Sequence, residues 1–392
     1  MGRERDAALT PRVLVVGGGP AGLATAGALA RAGVEATVCE AGEWPRPRLC
    51  GEFLSPDAGA ALESVGWGDL VTRLGAPPIE ALRVTVARRG RTVAESRAPL
   101  AAAGHGVSRI DLDEALAHAA RDAGADVRER CRVESVASES GGVRARTADA
   151  AIEADAVVLA TGRGGGVGRQ QIAASREWIA VKTHVRGAGL VRATELHFVD
   201  GAYAGMNEVV CRGERVVNVC ALARRSAWVR AGGAADGLWE MFARESPAFA
   251  ERWRNADPVG GSQAAAAGFG FAVRGARGSG ARPALFVGDA AALIAPLAGD
   301  GQAMALCGGV ALGAIVAAHL RDGDPAGVRA ASAAWRRAFA ASFRGRLVLG
   351  RALQAALLRP RSASALVRAA SRFRPLTQWA YRATRGPLAA PR

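Results

Sequence analysis

The chain has 392 residues, half of them apolar and 22% charged, a balance typical of a folded globular protein rather than a disordered one. Its net charge of +15 is local, because residues 341–392 contain eleven arginines and no acidic residue. No zinc-finger spacing or aromatic RNA-binding run accompanies that segment, so the sequence argues against a nucleic-acid partner.

Other simple features set further expectations. Six scattered cysteines without a Cys-x-x-Cys pair predict neither a disulfide framework nor a metal site. The charged N-terminus runs directly into an apolar strand, which leaves no room for a secretory signal and favours a cytoplasmic location. Residues 303–320 form the longest apolar run, but they include glycines and a histidine and predict a buried helix. Lys182 is the only lysine, and the pattern assigns it no chemistry.

The first predicted strand, residues 13–16, leads into a glycine-rich turn and a helix over residues 23–32. The turn comprises Gly17, Gly18, Gly19, Pro20, Ala21 and Gly22. In this pattern Gly17 permits the tight turn, Gly19 admits a pyrophosphate, and Gly22 lets the helix pack against the strand. The phosphates are expected at the positive N-terminus of the helix.

A second predicted strand, residues 36–39, ends at Glu40, eighteen residues after Gly22. A carboxylate at this place accepts hydrogen bonds from the ribose hydroxyls of an adenosine and repels a 2′-phosphate. Strand, glycine turn, helix and acid together predict a dinucleotide site.

Two later segments add to this pattern. Residues 156–160 form another buried strand, which ends in Thr161-Gly162. Residues 285–287 lead into Gly288-Asp289, and the stretch from Pro296 to Gly301 opens a further helix.

Together these motifs resemble the FAD-binding flavoprotein monooxygenases of the p-hydroxybenzoate hydroxylase type, including their geranylgeranyl-reductase-like branch. The resemblance covers at least residues 12–320. It implies that Gly288 and Asp289 bind the ribityl chain of FAD. It also implies that a helix N-terminus faces the flavin N1–C2=O edge, where backbone N–H groups favour the negative charge of a reduced ring. The residues that open this helix are Pro296, Gly299, Asp300 and Gly301.

The resemblance implies further cofactor contacts. Arg109 matches the family's arginine that reaches the FAD pyrophosphate or ribose, with a structural salt bridge as the alternative. Val133 matches a position whose backbone holds the adenine. Cys50-Gly51 resembles the Cys-Gly turn of the reductase-like branch beside the isoalloxazine, where Cys50 is either a small inert residue or has a redox or covalent role. Arg48, like Arg46, either contacts FAD or substrate or is solvated.

The chain departs from the family pattern at two places. Many of these hydroxylases use an Asp-Gly pair for both FAD and NAD(P)H, whereas this chain has Thr161-Gly162 followed by Arg163-Gly-Gly-Gly166. NAD(P)H is therefore expected as a transient reductant, with a separate reductase as the alternative. The Tyr-x-Trp-x-Phe-Pro stretch of the prenyl reductases keeps only Tyr203 and has Gly205 in place of Trp, which weakens prenyl reduction. The Trp-x-Trp-x-Ile-Pro stretch of flavin-dependent halogenases is not matched at Trp253-Arg-Asn255, so halogenation is not expected.

Strand-like runs fill the middle of the chain. They cover residues 178–185, 194–199 and 215–222, and residues 79–86 and 92–96 predict a hairpin around Arg89-Gly90. In the family an antiparallel sheet at this place covers the reactive face of the flavin.

The expected fold is α/β with an α+β insert, in which a Rossmann-type FAD-binding domain carries an inserted antiparallel β-sheet substrate domain and a C-terminal helical tail. The FAD-binding domain is discontinuous and is expected over residues 1–75, 105–165 and 281–330. The substrate domain is expected over residues 76–104 and 166–280, and basic helices over residues 331–392.

Candidate catalytic residues are Cys50, Tyr203 and His197, with His184 and Met206 as further pocket residues, although the flavin is the main catalyst. The resemblance implies an FAD-dependent oxidoreductase. The expected reaction is an NAD(P)H-using monooxygenation that hydroxylates or epoxidises a hydrophobic or aromatic small molecule with O₂, through a flavin C4a-hydroperoxide, in secondary metabolism. The alternatives are an FAD-dependent reductase or dehydrogenase acting on a carbon–carbon double bond and a flavoprotein electron carrier.

The basic segment has a helical pattern of its own. Arg344 and Arg351 are seven residues apart, as are Arg361 and Arg368, with leucines at helical spacing between the two pairs. This basic amphipathic pattern fits a peripheral membrane contact, an acidic partner, or helices that cap the substrate lobe.

Overall fold

The computed structural model describes residues 10–139, 142–164, 167, 177–190, 192–268, 283–320 and 325–385, so residues 165 and 166 of the predicted Arg-Gly-Gly-Gly stretch lie outside it. The strands are β1 Arg12–Val16, β2 Glu35–Cys39, β3 Phe53–Leu54, β4 Pro78–Arg88, β5 Arg91–Gly106, β6 Asp126–Arg128, β7 Ser135–Ser138, β8 Val143–Arg146, β9 Ala151–Ala154, β10 Ala156–Leu159, β11 Trp178–Arg186, β12 Ala193–Val199, β13 Ala202–Cys211, β14 Glu214–Arg224, β15 Asp257–Pro258, β16 Ala264–Ala267 and β17 Leu285–Phe286. The helices are α1 Pro20–Arg31, α2 Asp57–Ser64, α3 Leu70–Arg73, α4 Arg109–Asp122, α5 Arg225–Arg230, α6 Ala235–Glu245, α7 Pro247–Trp253, α8 Gly301–His319, α9 Pro325–Leu357, α10 Pro360–Arg372 and α11 Arg374–Ala383.

A five-stranded parallel sheet forms the first layer, in the order β17-β10-β1-β2-β6. Its central strand β1 is an apolar run from Val13 to Val16 that is buried on both faces, as expected of a strand in the middle of a covered parallel sheet. The predicted Rossmann-type core is confirmed.

Helices α1 and α8 cover this sheet in close contact with each other. A Cβ atom added at Gly309 would lie 2.4 Å from the carbonyl oxygen of Ala21, and one added at Gly313 would lie 2.6 Å from the Cβ of Ala28. The glycines of α8 are therefore what lets the two helices approach. By length and composition α8 is apolar enough to cross a membrane, but most of it is buried in the fold against α1 and α9.

A second, larger sheet has the order β15-β11-β14-β13-β12-β4-β5-β3, with β16 also pairing to β11. Its pairs are antiparallel except β12–β4, which is parallel. The predicted hairpin is present, since Arg88 pairs with Arg91 and the two turn residues Arg89 and Gly90 have φ angles of +50° and +72°. A small antiparallel sheet, β7-β8-β9, shares no strand pairing with either of them, and its Val143, Ala145 and Ala154 pack into the same core as β1.

The large sheet is covered on both faces. One face packs against α6 and α7 through residues such as Leu238, Phe242 and Phe249. The other face carries Phe198, Tyr203 and Leu222 and packs in part against the tail helices. Helix α10 lies on β4 and β5, and α11 lies on β5, so the C-terminal helices do cap the sheet.

Candidate active site

The glycine turn after β1 has the shape that a pyrophosphate requires. Gly17 has a φ of +109°, and Cβ atoms added at Gly17 and Gly22 would lie 2.5 Å from the oxygen of Ala160 and 2.0 Å from the oxygen of Gly17. A Cβ added at Gly19 would meet nothing within 4 Å. No side chain caps the N-terminus of α1. The turn therefore presents open space in front of a helix N-terminus, which fits a bound phosphate.

Glu40 follows β2 at the same edge of the sheet and is buried. Its Oε2 accepts a hydrogen bond from the Gly18 amide at 2.7 Å, and its Oε1 accepts one from the Gly42 amide at 3.0 Å and pairs with the Arg46 guanidinium. Burial would raise the pKa of this carboxyl, but the Gly42 amide and Arg46 lower it overall. Glu40 is thus a carboxylate held directly beside the glycine turn.

The surroundings of Glu40 include two more predicted contacts. Arg48 lies 3.8 Å from the Glu40 carboxylate and 3.9 Å from that of Asp113. The Cys131 amide donates to the Glu40 carbonyl at 2.8 Å, and Val133, two residues further, is buried. Arg48 and Val133 therefore lie at the edge where the adenosine half of FAD is expected.

Arg109, at the start of α4, forms a buried ion pair. Its Nε and a terminal nitrogen donate to the two oxygens of Asp113, each at 2.6 Å. Burial would lower the pKa of Arg109, yet Asp113 and the nearby Cys50 thiol raise it above its usual value. The salt bridge predicted as one role of Arg109 is present, and its contact with FAD stays a prediction.

The loop that carries Cys50 is fixed at several points. The Cys50 sulfur accepts hydrogen bonds from the Glu52 amide at 3.4 Å and from Gln302 Nε2 at 3.2 Å. Its carbonyl accepts one from Asn218 Nδ2 at 3.3 Å, and Arg163 donates to the carbonyl of Leu49 at 2.8 Å. The loop is therefore held between the start of α8 and the face of the large sheet.

Glu52, at the end of this loop, is the centre of a fully buried charge cluster that sequence reasoning missed. Its φ is +54°, a left-handed conformation that is uncommon outside glycine. Its Oε1 accepts hydrogen bonds from Lys182 Nζ at 3.0 Å and from the Arg109 amide at 2.9 Å, and its Oε2 lies 2.5 Å from His184 Nε2. Burial would raise the pKa of Glu52, but Lys182 and His184 lower it.

Lys182 and His184 lie on β11, on the face of the large sheet that Ala180 also occupies. Burial would lower the pKa of His184, but the Cys211 thiol and the Glu52 carboxylate raise it. The one signal in the sequence for this cluster is that a chain otherwise built with arginine has a single lysine at this place.

The third motif lies beside the glycine turn. Gly288 has a φ of +62°, and a Cβ there would lie 2.8 Å from the Cβ of Ala21. Asp289 Oδ2 is 3.8 Å from Arg163 Nε, and burial, opposed by Arg163, raises the pKa of Asp289. Gly162 has a φ of +65° in the turn that follows β10 and Thr161. The three predicted motifs therefore meet at one edge of the parallel sheet, as the ends of parallel strands do.

The start of α8 is also open to a ligand, because no side chain caps it. Gly299 adopts a φ of +64°, and Asp300 turns its carboxylate inward, where it accepts hydrogen bonds from Ser55 Oγ at 3.0 Å and from Arg346 at 2.9 Å. Burial, opposed by Arg346, raises the pKa of Asp300 to about 6. Arg346 belongs to α9, so one arginine of the basic segment is buried under the flavin loop.

A cavity of about 410 Å³ lies between the loops at residues 49–51 and 296–299, the large sheet and the tail helices α9, α10 and α11. Its walls include Cys50 and Gly51, the stretch from Pro296 to Gly299, and apolar side chains from the sheet and from α9, α10 and α11. Most of the lining atoms are apolar. Tyr203 lines it, and burial raises the pKa of the tyrosine hydroxyl well above 10.

Three predicted pocket residues are not among those that line the cavity. His184 is buried against Glu52, and the other two point to the opposite side of the sheet. Leu196 and Phe198 line the cavity, so His197 between them faces the opposite side of the sheet. There His197 Nδ1 lies 2.9 Å from Thr85 Oγ1, its Nε2 lies 3.3 Å from Glu195, and its ring packs against Phe249. Met206 likewise packs into the core beneath α6 and α7. The strand alternation places both outside the cavity, which corrects the prediction that they line it.

The donors and shapes at this edge of the sheet fit FAD. The glycine turn leaves room for the pyrophosphate, two uncapped helix N-termini suit its anionic groups, and Glu40 and Asp289 supply carboxylates near them. Among the described residues no group of three or more His, Cys, Asp or Glu side chains could hold a metal ion.

Comparison with known proteins agrees with this geometry. Residues 10–344 match the family model described as an FAD binding domain. A menaquinone reductase of Mycolicibacterium smegmatis is 33% identical over 151 residues, which are 38% of this chain and 34% of that protein. The flavin-dependent halogenase armH4 of Armillaria mellea is 34% identical over 129 residues, 31% of this chain and 24% of that protein. The matched segments thus span about a third and about a quarter of these two curated relatives.

Solved structures share the fold over nearly the whole chain. The flavin-dependent brominase Bmp2 superposes with a TM-score of 0.76 at 19% identity, covering 96% of this chain and 93% of that one. PqsL of P. aeruginosa, in complex with 2-aminobenzoylacetate, superposes with a TM-score of 0.69 at 17% identity, covering 91% and 99%.

Proposed function

Because this chain belongs to the FAD binding domain family and is an FAD-dependent oxidoreductase, we propose that it oxygenates a lipophilic small molecule. The observation that carries this proposal is the apolar cavity that adjoins both flavin loops, at Cys50–Gly51 and at Pro296–Gly299. When bound and reduced, FAD supplies the electrons with which dioxygen is activated.

The residues of the chain have distinct roles toward the cofactor. The turn from Gly17 to Gly22 receives the pyrophosphate, and Glu40 and Asp289 bind sugar and ribityl hydroxyls. The N-terminus of α8 stabilises negative charge on the flavin edge that it faces. The buried cluster of Glu52, Lys182 and His184 fixes the Cys50 loop against the sheet and so sets one wall of the cavity.

The cavity selects its substrate mainly by shape and apolarity. Leucine, valine and phenylalanine side chains line it, and α9, α10 and α11 form the wall opposite the sheet. Gly205 lines the cavity where prenyl reductases have tryptophan. A Cβ atom added there would lie 3.3 Å from Leu196 Cδ2, so a larger side chain would have to displace Leu196 or enter the cavity. Tyr203 is protonated at neutral pH, like an ordinary tyrosine, and burial raises its pKa further, so we assign it the role of a hydrogen-bond donor to the substrate and not of a base.

NAD(P)H is proposed as a transient reductant. Within the described ranges β1–α1 is the one glycine-rich strand–turn–helix unit, and we assign it to FAD. A nicotinamide cofactor would therefore bind on the surface for the transfer and then leave.

A second candidate is the reduction of a carbon–carbon double bond. It is supported by the relatives named menaquinone reductase and by the Cys50-Gly51 turn of the reductase-like branch. The same apolar cavity would then hold a prenyl chain.

Labelled dioxygen separates the two reactions. The holoenzyme is reduced, mixed with an alkylated phenol or with a prenylated naphthoquinone, and exposed to ¹⁸O₂ or kept anaerobic. We expect ¹⁸O in the phenol product and no product without dioxygen. A gain of two hydrogens on the prenyl chain under anaerobic conditions would overturn oxygenation in favour of reduction. The variant Gly205→Leu, which narrows the cavity, should keep its FAD absorbance and lose turnover.

A further inference from the structure

We propose that the outer face of α10 and α11 docks on an anionic lipid bilayer, so that the mouth of the cavity opens into the membrane. Docking is independent of the reaction, whereas the delivery of substrate from the bilayer rests on the proposed function. Charge, exposed apolar side chains and the position of the cavity support this proposal separately.

The charge of this surface has one sign. Arg361, Arg368 and Arg372 are exposed and spaced by seven and four residues, so they lie on one face of α10. Arg382 is exposed on α11. No Asp or Glu occurs in residues 341–392 to balance them. Such a uniformly basic surface is attracted to anionic lipid headgroups.

Large apolar side chains are exposed at the same place. Among the exposed large apolar side chains in the described part of the chain, Leu366 is on α10, Phe373 lies between the two helices and Trp379 is on α11. The remaining two, Val229 and Val348, are on α5 and α9. Phe373 and Trp379 are 61% and 57% exposed, and aromatic residues next to arginines are typical of helices that lie in a membrane interface.

The cavity reaches the surface at these residues. Leu366 and Trp379 are exposed and also line the cavity, so they form its rim. Helix α11 has Trp379 and Arg382 on its outer face, while Leu376 and Tyr381 on its inner face line the cavity. The Tyr381 hydroxyl donates to the Ala102 carbonyl at 2.9 Å and fixes the helix on β5. A lipophilic molecule therefore passes between cavity and exterior at the basic, aromatic surface.

An acidic partner protein would pair with the arginines, but it would not explain why the apolar rim of the cavity lies beside them. A bilayer matches both features, because headgroups meet the arginines while the acyl region meets Phe373, Trp379 and the rim of the cavity.

Vesicle co-sedimentation of the FAD-loaded protein tests the proposal. Vesicles of phosphatidylglycerol mixed with phosphatidylcholine should bind the protein at low salt, and pure phosphatidylcholine should bind much less. The variants Phe373→Ser and Arg361→Gln/Arg372→Gln/Arg382→Gln should each weaken binding about tenfold or more. The controls are Val229→Ser and Arg73→Gln, exposed apolar and basic positions on other surfaces, which should bind like the wild type. Binding should fall as salt is added.

Two results would overturn docking: no binding to anionic vesicles at low salt, or binding that the tail variants and the control variants retain equally. FAD absorbance and turnover measured in solution, without vesicles, separate membrane docking from the reaction. Neither Phe373 nor the three substituted arginines is a residue of the cofactor site, so these variants should keep full FAD absorbance and full turnover of a short-chain phenol in solution. Normal vesicle binding with no oxygenation of any phenol would leave docking intact and remove the proposed function.

Discussion

Lys182 Nζ lies 3.0 Å from Glu52 Oε1, and neither side chain is exposed to solvent. Glu52 holds this position with a left-handed backbone, and the same carboxylate also binds the Arg109 amide and His184. A buried carboxylate is tolerated only when its partners are in place. The pair thus ties β11 of the large sheet to the loop that borders the flavin.

Removing Lys182 alone should therefore destabilise the fold. We expect Lys182→Met to lower the free energy of unfolding by about 3–5 kcal/mol, because it leaves the Glu52 charge buried without its cation. Urea denaturation measures this loss. The matched control is Arg73→Met, which removes an exposed ion pair with Asp69 and should cost less than about 1 kcal/mol. The double variant Lys182→Met/Glu52→Gln should recover part of the lost stability, because it also removes the buried charge. If Lys182→Met lost no more stability than Arg73→Met, the buried pair would not stabilise the fold.

Two glycines of the turn should respond differently to the same substitution. In Gly19→Ala the added methyl meets no protein atom, so the apoprotein should have the stability of the wild type. Its affinity for FAD should fall about tenfold or more, because the pyrophosphate needs that space. In Gly22→Ala the methyl would lie 2.0 Å from the Gly17 oxygen, and the fold itself should lose roughly 1–3 kcal/mol. Titration of apoprotein with FAD and urea denaturation separate the two effects. Equal FAD affinity of Gly19→Ala and wild type would place the pyrophosphate elsewhere.

Glu195 should make stability depend on pH. Burial would raise its pKa, but His197 and Arg252 lower it to about 2. A folded-state pKa below the unfolded value contributes stability above about pH 4.5, and this stability is lost as pH falls toward 2. Between about pH 6 and pH 3 the wild type should therefore lose about 2 kcal/mol relative to Glu195→Gln. If the free energies of unfolding of the two proteins fell by the same amount between about pH 6 and pH 3, the charged Glu195 carboxylate would not be stabilised by His197 and Arg252.

FAD should be held without a covalent bond. The Cys50 sulfur accepts hydrogen bonds from the Glu52 amide and from Gln302, which accounts for its position without a link to the flavin. Acid precipitation should release the flavin into the supernatant from the wild type and from Cys50→Ala alike. A yellow wild-type pellet beside a colourless Cys50→Ala pellet would show that Cys50 binds FAD covalently.

Local sequence patterns were sufficient to predict the parallel core, the glycine turn and the Arg89-Gly90 hairpin, because each of them is determined by neighbouring residues. Tyr203, which was proposed from the resemblance to the prenyl-reductase stretch, does line the cavity. His197 and Met206 were assigned to the wrong face of their strands, because alternation defines two faces but does not say which one meets the cofactor.

The buried ion pairs could not be predicted from the sequence for a different reason. Glu52 and Lys182 are 130 positions apart, and Arg346 reaches Asp300 from a helix whose composition indicated only a basic surface. Pairs of this kind have no periodicity. The single lysine in an arginine-rich chain was the one visible sign of the first pair.

The strand order of the parallel sheet has a consequence for synthesis on the ribosome. β10 pairs with β1 on one side and with β17 on the other, and β17 begins at Leu285, long after β10 ends at Leu159. While the intervening lobe emerges and pairs its own strands, the nascent flavin core keeps an open edge at β10. The chain must therefore pass through a stage in which the inserted lobe is complete and the cofactor site is not, and this stage is where misassembly or chaperone contact should concentrate.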